Sequence, residues 1–201
     1  MKIGVDIDGV IADSLSVWIN ELNRHFAQDK KREDMIYYQF EKIYNVTWEE
    51  MDSFFRTNQE ILLTNLAPIE QAADIITRLN DKHEVLLITA RPEQYRTITE
   101  SWLLNQRIIY HNLVMTNFND KSLYCKSLQV DIFIEDSLEN ALSICQQGIP
   151  VILFDAPYNQ GSLPKGVIRT KNWQEIYYII GKHTKMFYIA SPGRDLTFKE
   201  E

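Results

Sequence analysis

Two aspartates, Asp6 and Asp8, flank Ile7 at the end of an apolar, β-branched run over residues 2–7. Such a run reads as a buried strand, and residues two apart on a strand face the same way. As the chain turns at Gly9-Val10, both carboxylates can therefore address one pocket. One carboxylate can attack phosphorus while the other carries a proton to and from the oxygens. The alternative is a pair of ordinary strand-end polar residues, but carboxylates inside an apolar strand are costly to desolvate without a partner or a use.

Glu135-Asp136 follow another apolar run, Ile132-Phe133-Ile134, and supply further carboxylates. Three such groups make a site for a hard cation. Mg2+ prefers oxygen ligands and offsets the repulsion between an anionic nucleophile and an anionic phosphate. Asp136 is the candidate ligand, with Glu135 beside it in an outer position; Asp136 can also simply cap the helix that begins at Leu138. Thr89 ends the run HEVLLIT and precedes Ala90-Arg91-Pro92, where a hydroxyl and backbone N–H groups at a helix start can hold a phosphate oxygen. Many strands end in threonine, so this signal is unspecific by itself. Lys121 can neutralise charge on a transferring phosphoryl group, with Lys126 further along the same short helix as the alternative.

These residues need elements to bring them together. Apolar runs at 83–89, 112–116, 131–135 and 150–154 read as strands after the first at 2–7. Helical patterns lie between them. Asp13 or Ser14 caps a helix carrying Leu15, Trp18, Ile19, Leu22 and Phe26. Ile69, Ala72, Ala73, Ile76 and Leu79 mark another; a third runs from Pro92 through Trp102 and Leu103, and a short one spans 119–128. Ser137 caps a helix that closes at Gly148, and a last helix covers 173–180. Residues 28–66 are charged and aromatic, without glycine or proline, and read as helical with a capping box at Thr47 and Glu50.

Alternation of strands and helices predicts an α/β fold, a Rossmann-like three-layer α/β/α parallel sheet. Ligands of such sheets sit beyond the carboxyl ends of the strands. That edge gathers Asp6, Asp8, Thr89, Thr116, Glu135, Asp136 and Asp155.

The chain has 201 residues, 45% hydrophobic and 24% charged, enough for one core with a modest insertion. A net charge of −7 disfavours a nucleic-acid polymer as partner but not a small phosphorylated molecule. Cys125 and Cys145 lack metal-ligand spacing and read as two buried thiols of a reducing compartment. With no signal-peptide pattern and no apolar run of membrane-spanning length, the expectation is a cytoplasmic protein without a membrane partner.

Taken together, the residues resemble the haloacid dehalogenase-like phosphatase superfamily. DxDGV stands at Asp6-Ile7-Asp8-Gly9-Val10, the strand ending in threonine at Leu86-Leu87-Ile88-Thr89, the lysine at Lys121, and the acidic pair after an apolar strand at Glu135-Asp136. Glu135 stands where a second Asp is frequent. The DIDGVIADS opening, ITARP and the IEDS run are most similar to the 5′(3′)-deoxyribonucleotidase-like group.

The resemblance implies an Mg2+-dependent phosphomonoesterase with an aspartyl-phosphate at Asp6. Asp8 would be the proton carrier, and Thr89, Ala90 and Lys121 would hold phosphoryl oxygens. The metal would be bound by Asp6, the backbone carbonyl of Asp8, and Asp136. It also implies a catalytic core over 1–13 and 67–182, a helical cap over 14–66 and a tail over 183–201. The substrate would be a (deoxy)ribonucleoside monophosphate. Tyr38, Phe40, Trp48 or Phe55 would stack on its base, although such aromatics also serve as a cap's own core. A sugar phosphate is the alternative substrate, and a phospholigand-binding protein without turnover is the alternative of another class. An exposed aromatic cap can also support a homodimer.

Overall fold

The structure is a computed structural model that describes residues 1–190. Six strands form one sheet: β1 (Lys2–Val5), β2 (Glu84–Thr89), β3 (Asn112–Met115), β4 (Ile132–Glu135), β5 (Val151–Phe154) and β6 (Val167–Thr170). Their order is β3-β2-β1-β4-β5-β6 and every pairing is parallel.

Side-chain alternation along the strands sorts residues to two faces. Ile3, Val5, Val85, Leu87, Ile132, Ile134 and Ile152 join one apolar cluster. It is covered by helices α5 (Ala72–Asn80), α6 (Arg96–Asn105) and α9 (Trp173–Ala190), through residues such as Ile76, Trp102 and Trp173. Leu86, Ile88, Phe133, Val151 and Leu153 join a second cluster, covered by α7 (Lys121–Ser127) and α8 (Leu138–Gln146) through Cys125, Ala141 and Ile144. The result is the expected Rossmann-like α/β/α sandwich. On β1, Gly4 makes room for the Phe133 ring, which a Cβ there would meet at 2.3 Å.

Between β1 and α5 the chain departs and returns at one place. The Asp13 N–H donates to the Ala67 carbonyl at 2.9 Å, and the Ile69 N–H donates to the Ile11 carbonyl at 2.7 Å. The excursion holds α1 (Ser14–Phe26), a 3₁₀ turn (Arg32–Asp34), α2 (Phe40–Tyr44), α3 (Trp48–Thr57) and α4 (Gln59–Thr64). These have an apolar cluster of their own, built on Leu15, Leu22, Met35, Tyr44, Phe54 and Leu62. The helical reading of 28–66 therefore holds in short pieces; Asn45, at φ 53°, ends α2 in the left-handed region. The capping box is present: Thr47 Oγ1 accepts from the Glu50 N–H at 3.2 Å, and Glu50 Oε2 accepts from the Thr47 N–H at 2.8 Å.

Ser137 caps α8, its hydroxyl accepting from the Asn140 N–H, and Gly148 follows that helix at φ +81°. Asp13 holds the N-cap position of α1, but its carboxylate accepts from Ser16 Oγ at 2.6 Å and from Arg32 at 3.0 Å rather than from a helix amide.

Three sequence expectations are corrected. β6 lies beyond the last strand read at 150–154. It is an edge strand whose Ile168 is exposed, so it carries no apolar run to detect. Helix α9 continues past Ile180 to Ala190, because a glycine such as Gly181 costs a helix about 1 kcal/mol without ending it. Of the two cysteines, both free thiols, Cys125 is buried but Cys145 is partly exposed. The turn read at Ser191-Pro192-Gly193 lies outside the described residues. Among the described residues, no helix is long and apolar enough to cross a membrane.

Candidate active site

From β1 the sheet grows first through β2 to β3, and then on the other side of β1 through β4 to β6. The carboxyl ends of β1 and β4 thus flank the switch point, where open α/β sheets bind ligands. Asp6 extends the pairing by one bond, its N–H donating to the Ile134 carbonyl at 3.0 Å. Beyond it the chain curls tightly. The Ile7 carbonyl accepts from the N–H groups of Val10, Ile11 and Ala12, and Gly9 donates to the Ala12 carbonyl at 2.9 Å. None of these bonds uses the carbonyl oxygen of Asp8.

Lys121, the first residue of α7, is buried and held between two carboxylates: Nζ lies 2.6 Å from Asp6 Oδ2 and 2.9 Å from Glu135 Oε2. The N-cap residue Asp120 sets the start of that helix by accepting from the Ser122 N–H at 2.9 Å. Glu135, fully buried, also accepts through Oε1 from the N–H groups of Asp136 and Ser137. Lys126 is exposed and does not line the cavity that Lys121 lines.

Asp136 accepts at Oδ2 from the Tyr158 hydroxyl, while Asn159 Nδ2 donates at 2.7 Å to both the Asp136 and Phe154 carbonyls. Tyr158 and Asn159 belong to a 3₁₀ turn (Pro157–Asn159) just past β5. Gly9 is required where it stands: its φ is +73°, and a Cβ there would come within 2.0 Å of Asp136 Oδ2.

Burial pushes the Asp6 carboxyl well above the usual range; Lys121 opposes this and the charges of Glu135 and Asp8 add to it. Glu135 is raised for the same first reason. Asp136 is pushed up to about 6 by burial and then by Asp6, with the Tyr158 hydrogen bond and Lys121 opposing. Burial would lower Lys121, but Asp6 and Glu135 hold it above its ordinary value.

Asp8 behaves differently. Burial alone would raise it, yet the Arg91 guanidinium, with hydrogen bonds from Arg91 and Ser14, holds it below the usual carboxylate range. Arg91 is buried and grips Asp8 with two prongs, Nε to Oδ2 and Nη2 to Oδ1, both at 2.8 Å. Ser14, at the start of α1, donates from Oγ to Asp8 Oδ1 at 2.6 Å.

Thr89 ends β2, buried, and its Oγ1 accepts from the Arg91 N–H at 3.3 Å. The hydroxyl proton therefore remains available to an oxygen of a ligand. Asp6, Asp8, Thr89, Ala90, Arg91 and Lys121 all face one cavity of about 390 Å³. Its other walls include Trp18, Tyr38, Phe40, Trp48 and Phe55 from the segment between β1 and α5. Phe40 is buried in that segment's own core, while Trp48 and Tyr38 are largely exposed. All four aromatics singled out in the sequence thus line the cavity, and Phe40 serves the core as well.

Thr116 and Asp155, also expected at this edge, do not line the cavity. Thr116 is buried at the end of β3, and Asp155 pairs with Arg169 at 3.3 Å.

The acidic cluster fits a divalent cation. Ligand oxygens of Asp6, Glu135 and Asp136 all lie within 4.8 Å of one another. Once ionised, three carboxylates against the single ammonium of Lys121 carry a surplus of two negative charges in a buried site; burial and that surplus together make all three hold their protons more tightly than usual. Asp8 stands outside this balance, neutralised by Arg91. Glu135 already accepts three hydrogen bonds, so Asp6 and Asp136 are the side chains better placed to bind an ion.

Arg91, Ser14, Tyr158 and Asn159 were not assigned from sequence. Arg91 is adjacent to the Thr89 motif, the one spacing signal among them.

The family model for the 5′ nucleotidase, deoxy (pyrimidine), cytosolic type C protein matches residues 1–187. A nucleotidase of Clostridium acetobutylicum is 31% identical over 182 residues, covering 90% of this chain and 94% of that one. A 5′(3′)-deoxyribonucleotidase of Bacillus subtilis is 30% identical over 179 residues, covering 87% and 95%. Among solved structures, a haloacid dehalogenase-like hydrolase from Streptococcus pneumoniae superposes with a TM-score of 0.66 at 12% identity, over 89% of this chain and 97% of that one. One from Deinococcus radiodurans, with bound phosphate and sodium, gives 0.64 at 13% identity, over 91% and 96%.

Proposed function

The chain belongs to the 5′-nucleotidase, deoxy (pyrimidine), cytosolic type C family of haloacid dehalogenase-like phosphatases, and on that premise we propose that it is an Mg2+-dependent nucleotidase that removes phosphate from (deoxy)ribonucleoside monophosphates through an aspartyl-phosphate. One observation carries the reading: a single cavity is lined by Asp6, Asp8, Thr89 and Lys121 of the core and by aromatic rings of the 14–66 segment. A nucleoside monophosphate has that same division, a dianion and a flat base.

In this reading an Asp6 carboxylate oxygen attacks phosphorus. The P–O bond to the substrate breaks, its electron pair goes to the leaving alcohol, and Asp8, which must enter this step carrying a proton on the Oδ2 position its hydrogen bonds leave open, gives it to that oxygen. Asp8 then takes a proton from water as the water oxygen attacks phosphorus, which frees phosphate and restores Asp6. The Lys121 ammonium and the Thr89 hydroxyl steady the phosphoryl oxygens, as does the backbone N–H of Ala90. Glu135 holds Lys121 in place. Asp6 and Asp136, with the Asp8 carbonyl, would hold the Mg2+, which supplies charge neutralisation of the phosphoryl group.

The 14–66 segment acts as the cap, hinged where residues 11–13 meet 67–69, over a core of 1–13 and 67–182. Tyr38, Phe40, Trp48 and Phe55 stack on or enclose the base. Trp18 also faces this space, and its buried indole N–H has no partner among the described residues, which suits a carbonyl oxygen of a base. A cytoplasmic setting belongs to the same reading and agrees with two free cysteines.

Phosphate release from a panel of nucleoside 5′- and 3′-monophosphates and sugar phosphates, with and without Mg2+, tests the proposal, with Asp6→Asn as the blank. Metal-dependent release favouring nucleotides is expected. A preference for sugar phosphates would remove the substrate class and keep the chemistry; ligand binding without any release would leave a binding protein.

A further inference from the structure

We infer that Arg91 is a positioning residue for proton transfer: with Ser14 it occupies all but one of the acceptor positions of Asp8 and so dictates which oxygen handles the proton. The inference rests on the phosphatase reading above and concerns a residue to which that reading gives no part.

An ionised carboxylate has about four lone-pair positions, two on each oxygen. Three are filled at Asp8. Oδ1 accepts from Ser14 Oγ at 2.6 Å and from Arg91 Nη2 at 2.8 Å; Oδ2 accepts from Arg91 Nε at 2.8 Å. One position remains, on Oδ2, and Asp8 lines the cavity that Asp6 also faces. A proton passing between Asp8 and a substrate oxygen or water therefore has one seat.

The clamp is itself braced. Arg91 is buried, and its third arm, Nη1, donates at 3.1 Å to Oγ1 of Thr99, a buried residue of α6. Its N–H is fastened to Thr89 Oγ1, so the turn after β2 sets both the phosphate-facing hydroxyl and the clamp. A planar fork bound at both prongs fixes the rotation of the carboxylate plane, which a lysine ammonium cannot do.

The role is to aim a proton, so its loss should weigh most on substrates whose leaving group needs one. The test compares kcat/KM for a nucleoside 5′-monophosphate, which releases an alkoxide-like oxygen, with that for p-nitrophenyl phosphate, whose p-nitrophenolate departs without protonation. Arg91→Lys should lower the nucleotide value by about a hundredfold, the scale of general acid catalysis, and the p-nitrophenyl value by less than about tenfold. In an Asp8→Asn background, Arg91→Lys should add almost nothing to the loss on the nucleotide.

Thr99→Val, which removes only the brace, should shift the same ratio in the same direction by a few-fold, and it decides the matter if Arg91→Lys fails to fold. Equal losses on both substrates, or the full Arg91→Lys loss persisting without Asp8, would make Arg91 a phosphate-binding or structural residue and overturn the inference. A wild-type protein inactive on both substrates would instead overturn the phosphatase reading on which the inference stands.

Discussion

Gly9 and Asp136 approach so closely that no side chain fits between them: a Cβ on Gly9 would lie 2.0 Å from Asp136 Oδ2. The tip of the β1 loop and the end of β4 are thereby packed backbone against carboxylate, and the Tyr158 hydroxyl bonds to that same oxygen. Gly9→Ala must strain a φ of +73° and also displace Asp136. The strain alone costs about 1–2 kcal/mol, and on the proposed role of Asp136 as a metal ligand its displacement should abolish tight Mg2+ binding. Thermal melts and calorimetric titration with Mg2+ check both; unaltered metal affinity would mean that Asp136 is not a ligand.

Asp136 also gives a pH-dependent signature. Its carboxyl is raised to about 6, against 3.8 for the free group, by burial first and by Asp6 second. A carboxyl that holds its proton more tightly when folded loses stability as pH climbs from the unfolded to the folded value, and the loss persists above it. With the metal chelated, Asp136→Asn should therefore melt a few degrees above the parent at pH 8 and close to it below pH ~4. Added Mg2+ should raise the melting temperature of the parent and barely move the variant. A variant that melts lower at pH 8 without metal would show that the hydrogen bond to Tyr158 outweighs the buried charge.

Lys121 neutralises part of a buried acidic cluster, so removing it leaves Asp6 and Glu135 facing each other unpaired. Lys121→Met should cost about 3–5 kcal/mol at pH 8, the usual penalty for stranding one side of a buried ion pair. Part of this should return at pH 5, where carboxyls with raised pKa values take up protons. Lys126→Ala, on the exposed side of α7, should change stability by no more than about 0.5 kcal/mol and leave phosphate release intact. Denaturant titrations at the two pH values give the comparison.

Trp48 lines the cavity yet is 61% exposed, so it contributes little to the core. Trp48→Ala should fold normally and raise KM for nucleotides by about five- to tenfold, the loss of roughly 1 kcal/mol of aromatic stacking. The KM for p-nitrophenyl phosphate, whose small ring does not reach as far, should hold. A parallel rise for both would place Trp48 in the closure of the cap rather than in contact with a base.

On the proposed mechanism, Asp8→Asn retains the nucleophile Asp6 and loses the proton carrier. Phosphate release should fall by about a hundredfold or more, and rapid quenching should trap phosphate on Asp6 if the second step suffers most. Undiminished turnover would remove Asp8 from the mechanism.

The sequence alone carried the placements that are local. Asp6 and Asp8, two apart at the end of an apolar strand, share a cavity because strand periodicity is a property of the backbone. Thr89 and Asp136 follow from the same logic, since strand ends of a parallel sheet converge on one edge. Thr47, Ser137 and Gly148 were legible as caps and stops because helix ends are satisfied by residues within a few positions. β6 was not legible, because only Val167 and Thr170 at its ends are buried while Ile168 and Arg169 between them are not, which leaves no apolar run, whereas the other edge strand, β3, keeps one in Leu113-Val114-Met115.

Tertiary structure alone decided the pairings. That Lys121 rather than Lys126 reaches Asp6 depends on where α7 meets the sheet. Glu135 and Asp136 are neighbours, yet one turns to a lysine 14 positions earlier and the other to a tyrosine 22 positions later. Arg91 closes on Asp8 across 83 residues; its place two positions after Thr89 puts it near the site but does not announce that partner. Residue type and periodicity specify which groups must leave water and on which face of an element they stand. Which buried charge meets which is fixed only when elements pack, because the cost of leaving any one of them unpaired is settled by every neighbour the fold brings within reach.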